Sequence, residues 1–230
     1  PSGRHAYVLY ETPKQEITAL VVDPAGNIYV AGIGDKTRAT PVLPQQPAQT
    51  LAPAAGGQNA TVTVGAGAAQ PNLGAAPVPF LPVTSSAVYR IAPDGSGRYV
   101  LAGAAAGDTN IARDSHNAAP ALGNDDRVLY VVVKSGTTNN YGYLLGLDAT
   151  TLGTKFKVFL RDPRNNRVNN AGILDDSTAS PMVAPDGDVF LGVFANPNNG
   201  SRGFLLHFTA DLAVEKTPGA FGWDSTPAIV

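Results

Sequence analysis

The chain repeats one local pattern: an apolar run, a short polar turn and a second β-rich run. Residues 17–22 are apolar on both alternating faces, residues 23–27 include Asp, Pro, Gly and Asn, and residues 28–33 again favour a strand. Asp, Pro, Gly and Asn close tight turns because they adopt or stabilise the required backbone angles. The same order of segments returns at 120–133 and 180–194. Three copies predict a repeat fold assembled from antiparallel hairpins.

Each hairpin is followed by candidate third and fourth strands. The third strands lie at 87–91, 143–147 and 204–208, and the fourth at 99–102, 156–160 and 213–216. Four antiparallel strands per unit are typical of a β-propeller blade. Composition agrees, since 25 Gly, 19 Pro and only 15% charged residues favour many short strands over helices. We therefore predict an all-β fold, a single β-propeller segment over 1–230 with three four-stranded blades at approximately 17–102, 117–160 and 178–216.

Both ends of the sequence are similar to parts of further blades. Residues 7–10 are typical of the last strand of a blade, and residues 225–230 repeat the first-strand pattern of 178–183. Propellers close with roughly four to eight blades, because every blade packs both faces against neighbours. We expect partial blades at both ends and a larger propeller, completed by remaining blades of the same polypeptide or by a protein partner.

A low-complexity insertion at 36–84 interrupts the first predicted blade. Residues 39–89 include no charged residue and are rich in Pro, Ala, Gly, Gln and Thr. Such a composition is typical of a flexible or polyproline-like excursion. Disordered segments normally carry charge, however, and the apolar side chains of Val62, Val64 and Phe80 also fit an ordered arm that packs on the blade or on another chain. The composition leaves both alternatives open.

The residue inventory excludes several classes of site. Zero Cys excludes a disulfide scaffold, a thiolate zinc site, an iron–sulfur cluster and a Cys nucleophile. Asp114, Ser115 and His116 are neighbours in the chain, so they cannot face one another as a catalytic triad. The formal net charge of -2 comes without a basic stripe, and we expect no nucleic-acid partner. No apolar run reaches the ~18 residues of a membrane span. We nominate no catalytic residue.

Acidic turns supply the one candidate metal site. Asp175, Asp176, Asp186 and Asp188 offer hard carboxylate oxygens in loops, which suit calcium. The chain lacks the Asp-x-Asp-x-Asp-Gly series of a calcium-binding loop. The alternative is that these side chains close their own turns by accepting hydrogen bonds from nearby backbone N–H groups. We predict calcium as the candidate ligand of these residues, and no other cofactor.

Two stretches resemble known propeller repeats. Residues 17–34, Ile-Thr-Ala-Leu-Val-Val-Asp-Pro-Ala-Gly-Asn-Ile-Tyr-Val-Ala-Gly-Ile-Gly, resemble the unit of bacterial NHL-type and related seven-bladed propellers. Residues 143–153 are similar to the repeat of quinoprotein-like propellers, in which Asp-Ala-x-Thr-Gly follows the third strand. Quinoprotein enzymes hold pyrroloquinoline quinone and calcium, commonly with a vicinal disulfide and a stacking Trp. This chain has no Cys and a single Trp, Trp223, so the resemblance implies the fold without the quinone.

These observations favour a non-enzymatic interaction or assembly module of an exported bacterial propeller protein, located in the periplasm, on the cell surface or outside the cell. Its loops and the 36–84 insertion would present the contact surface. One alternative is a fragment of a propeller enzyme, such as a quinoprotein-like oxidoreductase or a lactonase-like hydrolase, whose active site lies outside this chain. Another is a self-assembling structural or surface protein, in which open blade flanks pair between chains.

Overall fold

The computed structural model describes residues 8–35, 86–114, 118–137, 140–174 and 179–221, together with 223, 226 and 228. The described part is nearly all β, arranged in three antiparallel sheets. Sheet 1 contains β1 (Lys14–Val22), β2 (Ile28–Asp35), β3 (Ala87–Ile91) and β4 (Gly97–Leu101). Sheet 2 contains β5 (Ile111–Asp114), β6 (Ala121–Leu122), β7 (Val128–Ser135), β8 (Gly142–Asp148) and β9 (Thr154–Phe159). Sheet 3 contains β10 (Met182–Val183), β11 (Val189–Phe194), β12 (Gly203–Phe208) and β13 (Gly219–Phe221). The described helices are α1 (Ala102–Ala106) and a 3-10 turn at Asn165–Arg167.

The predicted hairpins are confirmed, and their turns have a common construction. In the β1–β2 turn, Gly26 has a φ of +82° and donates its N–H to the Asp23 carbonyl at 3.0 Å. In the β10–β11 turn, Gly187 has a φ of +91° and donates to the Ala184 carbonyl at 2.8 Å. Positive φ is accessible to Gly without a steric penalty, which explains why both turns contain it. The strands between these turns pair in sequence order, as the repeat pattern predicts.

Sheet 3 differs from the predicted strand positions at its last strand. The sequence predicts this strand at 213–216, whereas β13 lies at Gly219–Phe221 and pairs with the first half of β12. Glu215 forms only an isolated bridge with Phe208. Pro218 follows three residues later and has no N–H to donate, which explains why the ladder breaks and resumes at Gly219.

Sheet 2 differs at its first strand, which is divided. The predicted segment at 120–122 is present as β6, and β5 supplies a second piece that pairs farther along the same strand, β7. The residues between the two pieces include 115–117, which lie outside the described residues. The antiparallel order of β7, β8 and β9 is the predicted one.

Of the features predicted at the two ends of the sequence and in the insertion, the structure describes mainly residues 8–10. Residues 8–10 form no strand, so the predicted strand at 7–10 is wrong for its described part. Leu9 and Tyr10 instead pack against the cluster of Val30, Tyr89 and Ile91 on sheet 1. The insertion at 36–84 lies outside the described residues, as do most residues of 225–230.

The three sheets pack face to face, and sheet 2 is buried on both faces. Along β7, side chains alternate between two cores because successive residues of a strand point to opposite faces. Leu129, Val131 and Val133 pack with residues of sheet 1, whereas Tyr130 and Val132 pack with residues of sheet 3. This arrangement explains why residues 128–133 are almost continuously apolar. None of the described sheets closes on itself.

Short turns and long connections lie at opposite ends of the stacked sheets. At the turn end, the Ala149 N–H donates to the Arg127 carbonyl at 3.0 Å, which joins two tight turns of sheet 2. At the loop end, the Ile173 N–H donates to the Asn140 carbonyl at 2.8 Å, which joins two long connections. Functional residues concentrate on loops that a rigid scaffold holds in place, so the loop end is the natural place to look for a binding site. No helix in the described part is long and apolar enough to cross a bilayer.

Candidate functional site

Of the four acidic residues predicted as calcium ligands, the structure describes two, Asp186 and Asp188. Asp175 and Asp176 lie outside the described residues. Asp186 is exposed in the β10–β11 turn, where its Oδ1 accepts the Asp188 N–H at 3.1 Å. Asp186 thus has the turn-closing role that the sequence offered as the alternative. Asp188 is only 7% exposed and points into a polar cluster on sheet 3. Calcium binding by these residues stays a prediction.

The Asp188 carboxylate is engaged by two basic side chains. Its Oδ2 accepts a hydrogen bond from the Lys216 ammonium group and lies 2.6 Å from His207 Nε2. Hydrogen bonds from Lys216 and then His207 hold the pKa of Asp188 below its ordinary value. The His207 ring in turn stacks on Phe190, with ring centroids 4.1 Å apart. Among the described residues, no three His, Asp or Glu side chains converge as a metal site.

The same cross-strand position is filled differently in each sheet. In sheet 1, Arg90 Nη2 donates to Asn27 Oδ1 at 2.8 Å, in the place that His207 and Asp188 occupy in sheet 3. In sheet 2, Gly146 takes the third-strand position and Phe156 fills the space beside it. The contact is polar in sheets 1 and 3 and apolar in sheet 2. This variation indicates that the position serves packing within each sheet and is not a shared binding site.

The outer face of sheet 3 is defined here by Met182, Phe190, Leu205 and His207. All four side chains are partly exposed. The residues aligned with Phe190 in the other two sheets, Tyr29 and Tyr130, are each 2% exposed because the following sheet covers them. Sheet 3 therefore presents, on its outer side, the kind of face that sheets 1 and 2 bury.

A cleft of about 280 Å³ opens at the loop end, beside the connections that join sheets 2 and 3. We call it the asparagine cleft, and it is lined by Asn140, Asn170, Gly172, Leu174, Phe194, Ala195, Asn196 and Asn198. Sequence reasoning missed this site. The signal that could have found it is the concentration of Asn in the three long connections around 140, 165–170 and 196–199.

Backbone hydrogen bonds hold the walls of the asparagine cleft in place. The Gly172 N–H donates to the Phe194 carbonyl at 2.8 Å, and the Phe194 N–H donates back to the Gly172 carbonyl at 3.0 Å. The Ala171 N–H donates to the Leu160 carbonyl at 2.9 Å, which ties the same segment to the end of sheet 2. Gly172 allows this approach, since an added Cβ would lie 3.2 Å from Phe194 Cδ1. The connection from β9 to β10, which contains Ala171 and Gly172, is thereby attached to both sheet 2 and sheet 3.

A buried carboxylate anchors the loop that carries Asn196 and Asn198. Asp162 is 1% exposed, and its Oδ2 accepts the Asn196 N–H at 2.8 Å. Arg164 donates from Nη2 to Asp162 Oδ2 at 2.7 Å and from Nε to Oδ1 at 3.0 Å. The same Nη2 group also donates to the Pro197 carbonyl at 2.7 Å. Asp162 and Arg164 are therefore positioning residues for one wall of the cleft.

The pKa of Asp162 reflects this network. Burial acts to raise it, but hydrogen bonds from the Arg164 side chain, the Arg164 N–H and the Asn196 N–H outweigh burial and hold the pKa below its ordinary value. A carboxyl group whose pKa is lower in the folded than in the unfolded protein stabilises the fold above the unfolded pKa of ~3.9. That stabilisation is lost as the pH falls through the folded pKa.

We therefore expect the Asp162→Asn variant to be less stable than the wild-type protein at pH 7, and the difference to shrink as the pH approaches ~3. The variant retains the size of the side chain, but its neutral amide cannot form the two charge-assisted hydrogen bonds that the Arg164 guanidinium donates to the carboxylate. Urea unfolding at a series of pH values measures the two free energies. A difference that stays constant from pH 7 to ~3 would contradict the role assigned to this carboxylate.

The described residues that line the asparagine cleft contribute amides and apolar groups, and none of them has an ionisable side chain. Among the described residues, the side-chain amides of Asn140 and Asn196 have no hydrogen-bond partner. The Oδ1 atom of Asn198 accepts the Ser201 N–H at 3.1 Å, which leaves its NH₂ group for other partners. An arrangement without a titratable group or nucleophile in its lining suits binding of a neutral polar ligand.

A second cleft of about 540 Å³ lies at the turn end between sheets 2 and 3. Its lining includes Asp125, Asp186 and Asp211 together with Arg127 and Lys155. Arg127 and Asp125 are largely exposed, and their charged atoms are 4.0 Å apart. Exposed charges of both signs favour no one class of ligand. The asparagine cleft is the more distinctive of the two.

Comparisons with protein families and with curated proteins found no match for this chain. No protein-family model matches it. No curated protein matches it either. The resemblance to propeller repeats therefore rests on the residues quoted above, and functional assignment depends on the geometry of the described part.

Proposed function

We propose that the three sheets are consecutive blades of a β-propeller and that the chain acts as a non-enzymatic interaction or assembly module. The observation that carries this proposal is the burial of sheet 2 on both faces, between cores shared with sheet 1 and sheet 3. Stacked four-stranded antiparallel sheets are the building plan of propellers. An exported bacterial location belongs to the same proposal and is supported by the resemblance of residues 17–34 alone.

The surfaces for assembly are the two outer faces of the stack. Within the chain, each sheet packs the face that carries Tyr29 or Tyr130 against the opposite face of the next sheet. Sheet 3 leaves the corresponding face partly exposed, at Phe190 and Leu205. Sheet 1 leaves part of the complementary face exposed, with Leu20 58% accessible and Val22 51% accessible. The two ends of the stack therefore offer the two halves of one kind of sheet-to-sheet contact.

A second copy of this chain is the partner that these faces fit. Three sheets from each of two copies make six, which lies within the roughly four to eight blades of closed propellers. The three sheets of the described part are too few to close by themselves, and nine such sheets from three copies would exceed that range. In such a dimer the outer face of sheet 3 of each copy packs on the outer face of sheet 1 of the other, so the contact closes without leaving an open edge.

Sedimentation of the 230-residue chain over a range of concentrations tests this assembly. The wild-type protein is expected to form a dimer. Leu20→Asp and Leu205→Asp, which place a charge on the two different faces, are expected to weaken the dimer by at least about 10-fold. Leu20 is largely exposed, so its replacement leaves the fold of the monomer unchanged.

Val168→Asp is the matched control, because Val168 is an exposed apolar residue outside both faces. A wild-type chain that stays monomeric at all accessible concentrations would overturn the assembly proposal. So would a dimer that Leu20→Asp and Leu205→Asp leave unchanged.

A further inference from the structure

We propose that the asparagine cleft binds a neutral carbohydrate residue. Its lining has four Asn side chains around a small apolar patch formed by Leu174, Phe194 and Ala195. The site is at the loop end and does not include the outer faces of sheets 1 and 3. The proposal is therefore independent of the assembly proposed above.

Hydrogen-bonding capacity matches amides to sugar hydroxyl groups. A hydroxyl group donates one hydrogen bond and accepts others, and an Asn side chain offers two N–H donors and a carbonyl acceptor. Asn140 and Asn196 have both halves of the amide available among the described residues, and Asn198 has its NH₂ group. Several donors and acceptors on one small surface are what a ring with adjacent hydroxyl groups requires.

Charge and size narrow the class of ligand. Among the residues that the structure describes, no Asp, Glu, Lys, Arg or His lines the cleft. The carboxylate of Asp162, which anchors one wall of the cleft, is paired with Arg164. A phosphate, a carboxylate or a metal ion would find no opposite charge in this lining, whereas a neutral polar molecule loses nothing by its absence. The volume of about 280 Å³ is at the lower end of ligand-binding pockets, which fits one ring-sized unit.

The cleft is also held in a fixed shape before any ligand arrives. The paired backbone bonds between Gly172 and Phe194 form one wall. Asp162 and Arg164 fix the backbone at Asn196 and Pro197 on the other. Rigid walls lower the ordering cost of binding, so weak individual hydrogen bonds can add up to measurable affinity.

The test titrates the ¹⁵N-labelled protein with a panel of neutral methyl glycosides of glucose, galactose, mannose and N-acetylglucosamine. At least one glycoside is expected to bind with a dissociation constant near or below ~1 mM and to shift the amide signals of Gly172 and Ala195. Methyl glucuronoside, which carries a carboxylate, is expected to bind more weakly than the matching glucoside.

Asn140→Gly removes one amide with little effect on the backbone. Asn140 has a φ of +47°, which Gly adopts readily, and its own carbonyl still accepts the Ile173 N–H. Loss of one or two hydrogen bonds to the glycoside is expected to weaken binding by about 3- to 10-fold. Asn199→Ala is the matched control, because Asn199 is exposed in the same loop as Asn198 and does not line the cleft.

Three outcomes overturn the inference. One is the absence of any shift at Gly172 and Ala195 with the whole panel. Another is an Asn140→Gly variant that binds the glycoside as tightly as the wild-type protein. The third is selective binding of an uncharged Ala- and Gln-containing peptide in place of the glycosides, since a peptide backbone also offers neutral donors and acceptors. Dimer formation is measured separately, so failure here leaves the assembly proposal standing.

Discussion

Replacing Leu144 or Leu145 with Ala is expected to lower the free energy of unfolding by about 2–5 kcal/mol in each case. The two residues are neighbours on β8, so their side chains point to opposite faces of sheet 2. Leu144 packs in the core shared with sheet 3, and Leu145 packs in the core shared with sheet 1. Both are fully buried. Each truncation removes apolar contacts and leaves a cavity between two sheets.

Urea unfolding of the two variants measures this effect, and Val168→Ala is the control. Val168 is 72% exposed and lies outside both outer faces, so its truncation is expected to cost less than about 1 kcal/mol. In an ordinary sheet with one face in water, one of two adjacent Leu residues would tolerate Ala. A small cost at either Leu144 or Leu145 would therefore show that sheet 2 is covered on one face only.

Gly142→Ala is expected to destabilise the protein by about 3 kcal/mol or more, which is at the upper end for adding one methyl group. Gly142 begins β8 and is buried. A Cβ at this position would overlap the Val133 carbonyl oxygen and lie 3.2 Å from Ile173 Cγ1. The carbonyl belongs to the backbone of β7, so it cannot move without disturbing the pairing of two central strands. The methyl group therefore strains the middle of sheet 2.

Gly153→Ala is the matched control for this substitution. Gly153 is exposed in the β8–β9 turn, where the nearest atom to a new Cβ would be Thr151 Oγ1 at 3.4 Å. Its replacement is expected to change the free energy of unfolding by less than about 1 kcal/mol. Thermal and urea unfolding of both variants give the comparison. Equal stability of Gly142→Ala and Gly153→Ala would show that β7 and β8 approach one another less closely than described.

The hairpins could be predicted from the sequence because their causes are local. Gly26 and Gly187 each lie in a short segment that also contains Asp and Pro, between two apolar runs, and tight turns need such residues close together in the sequence. The continuous apolar run of β11 likewise marks a strand with apolar side chains on both faces. Local signals of this kind are sufficient for an all-β assignment and for the order of most strands.

The shift of β13 and the division of the first strand of sheet 2 were harder to predict. Both depend on where a strand finds a free edge of its neighbour. Glu215 reaches Phe208, yet the continuous ladder begins only at Gly219, after Pro218. On the sequence alone, 213–216 is as apolar as a short edge strand needs to be. The position of such an edge strand is decided by the strand with which it pairs, and that strand lies elsewhere in the chain.

The asparagine cleft could not be predicted, because its residues come from three separate connections. Asn140, Asn170 and Asn196 are distant in sequence and meet only when sheets 2 and 3 pack. The role of Asp162 could not be predicted either, since its partner Asn196 lies in a loop of another sheet. The same holds for Pro197, whose carbonyl accepts a hydrogen bond from Arg164. The sequence instead pointed to acidic turn residues as candidate calcium ligands, and one of them, Asp186, closes its own turn.

The sequence by itself determined the strands, the tight turns and the absence of thiol chemistry. These follow from the side chains of adjacent residues, whose preferences act over a few bonds. Only the tertiary structure decided that sheet 2 is buried on both faces, that sheet 3 leaves an outer face partly exposed, and that Asn side chains from distant connections line one cleft. Those features arise from contacts between sheets, which depend on the packing of surfaces and not on the order of residues along the chain.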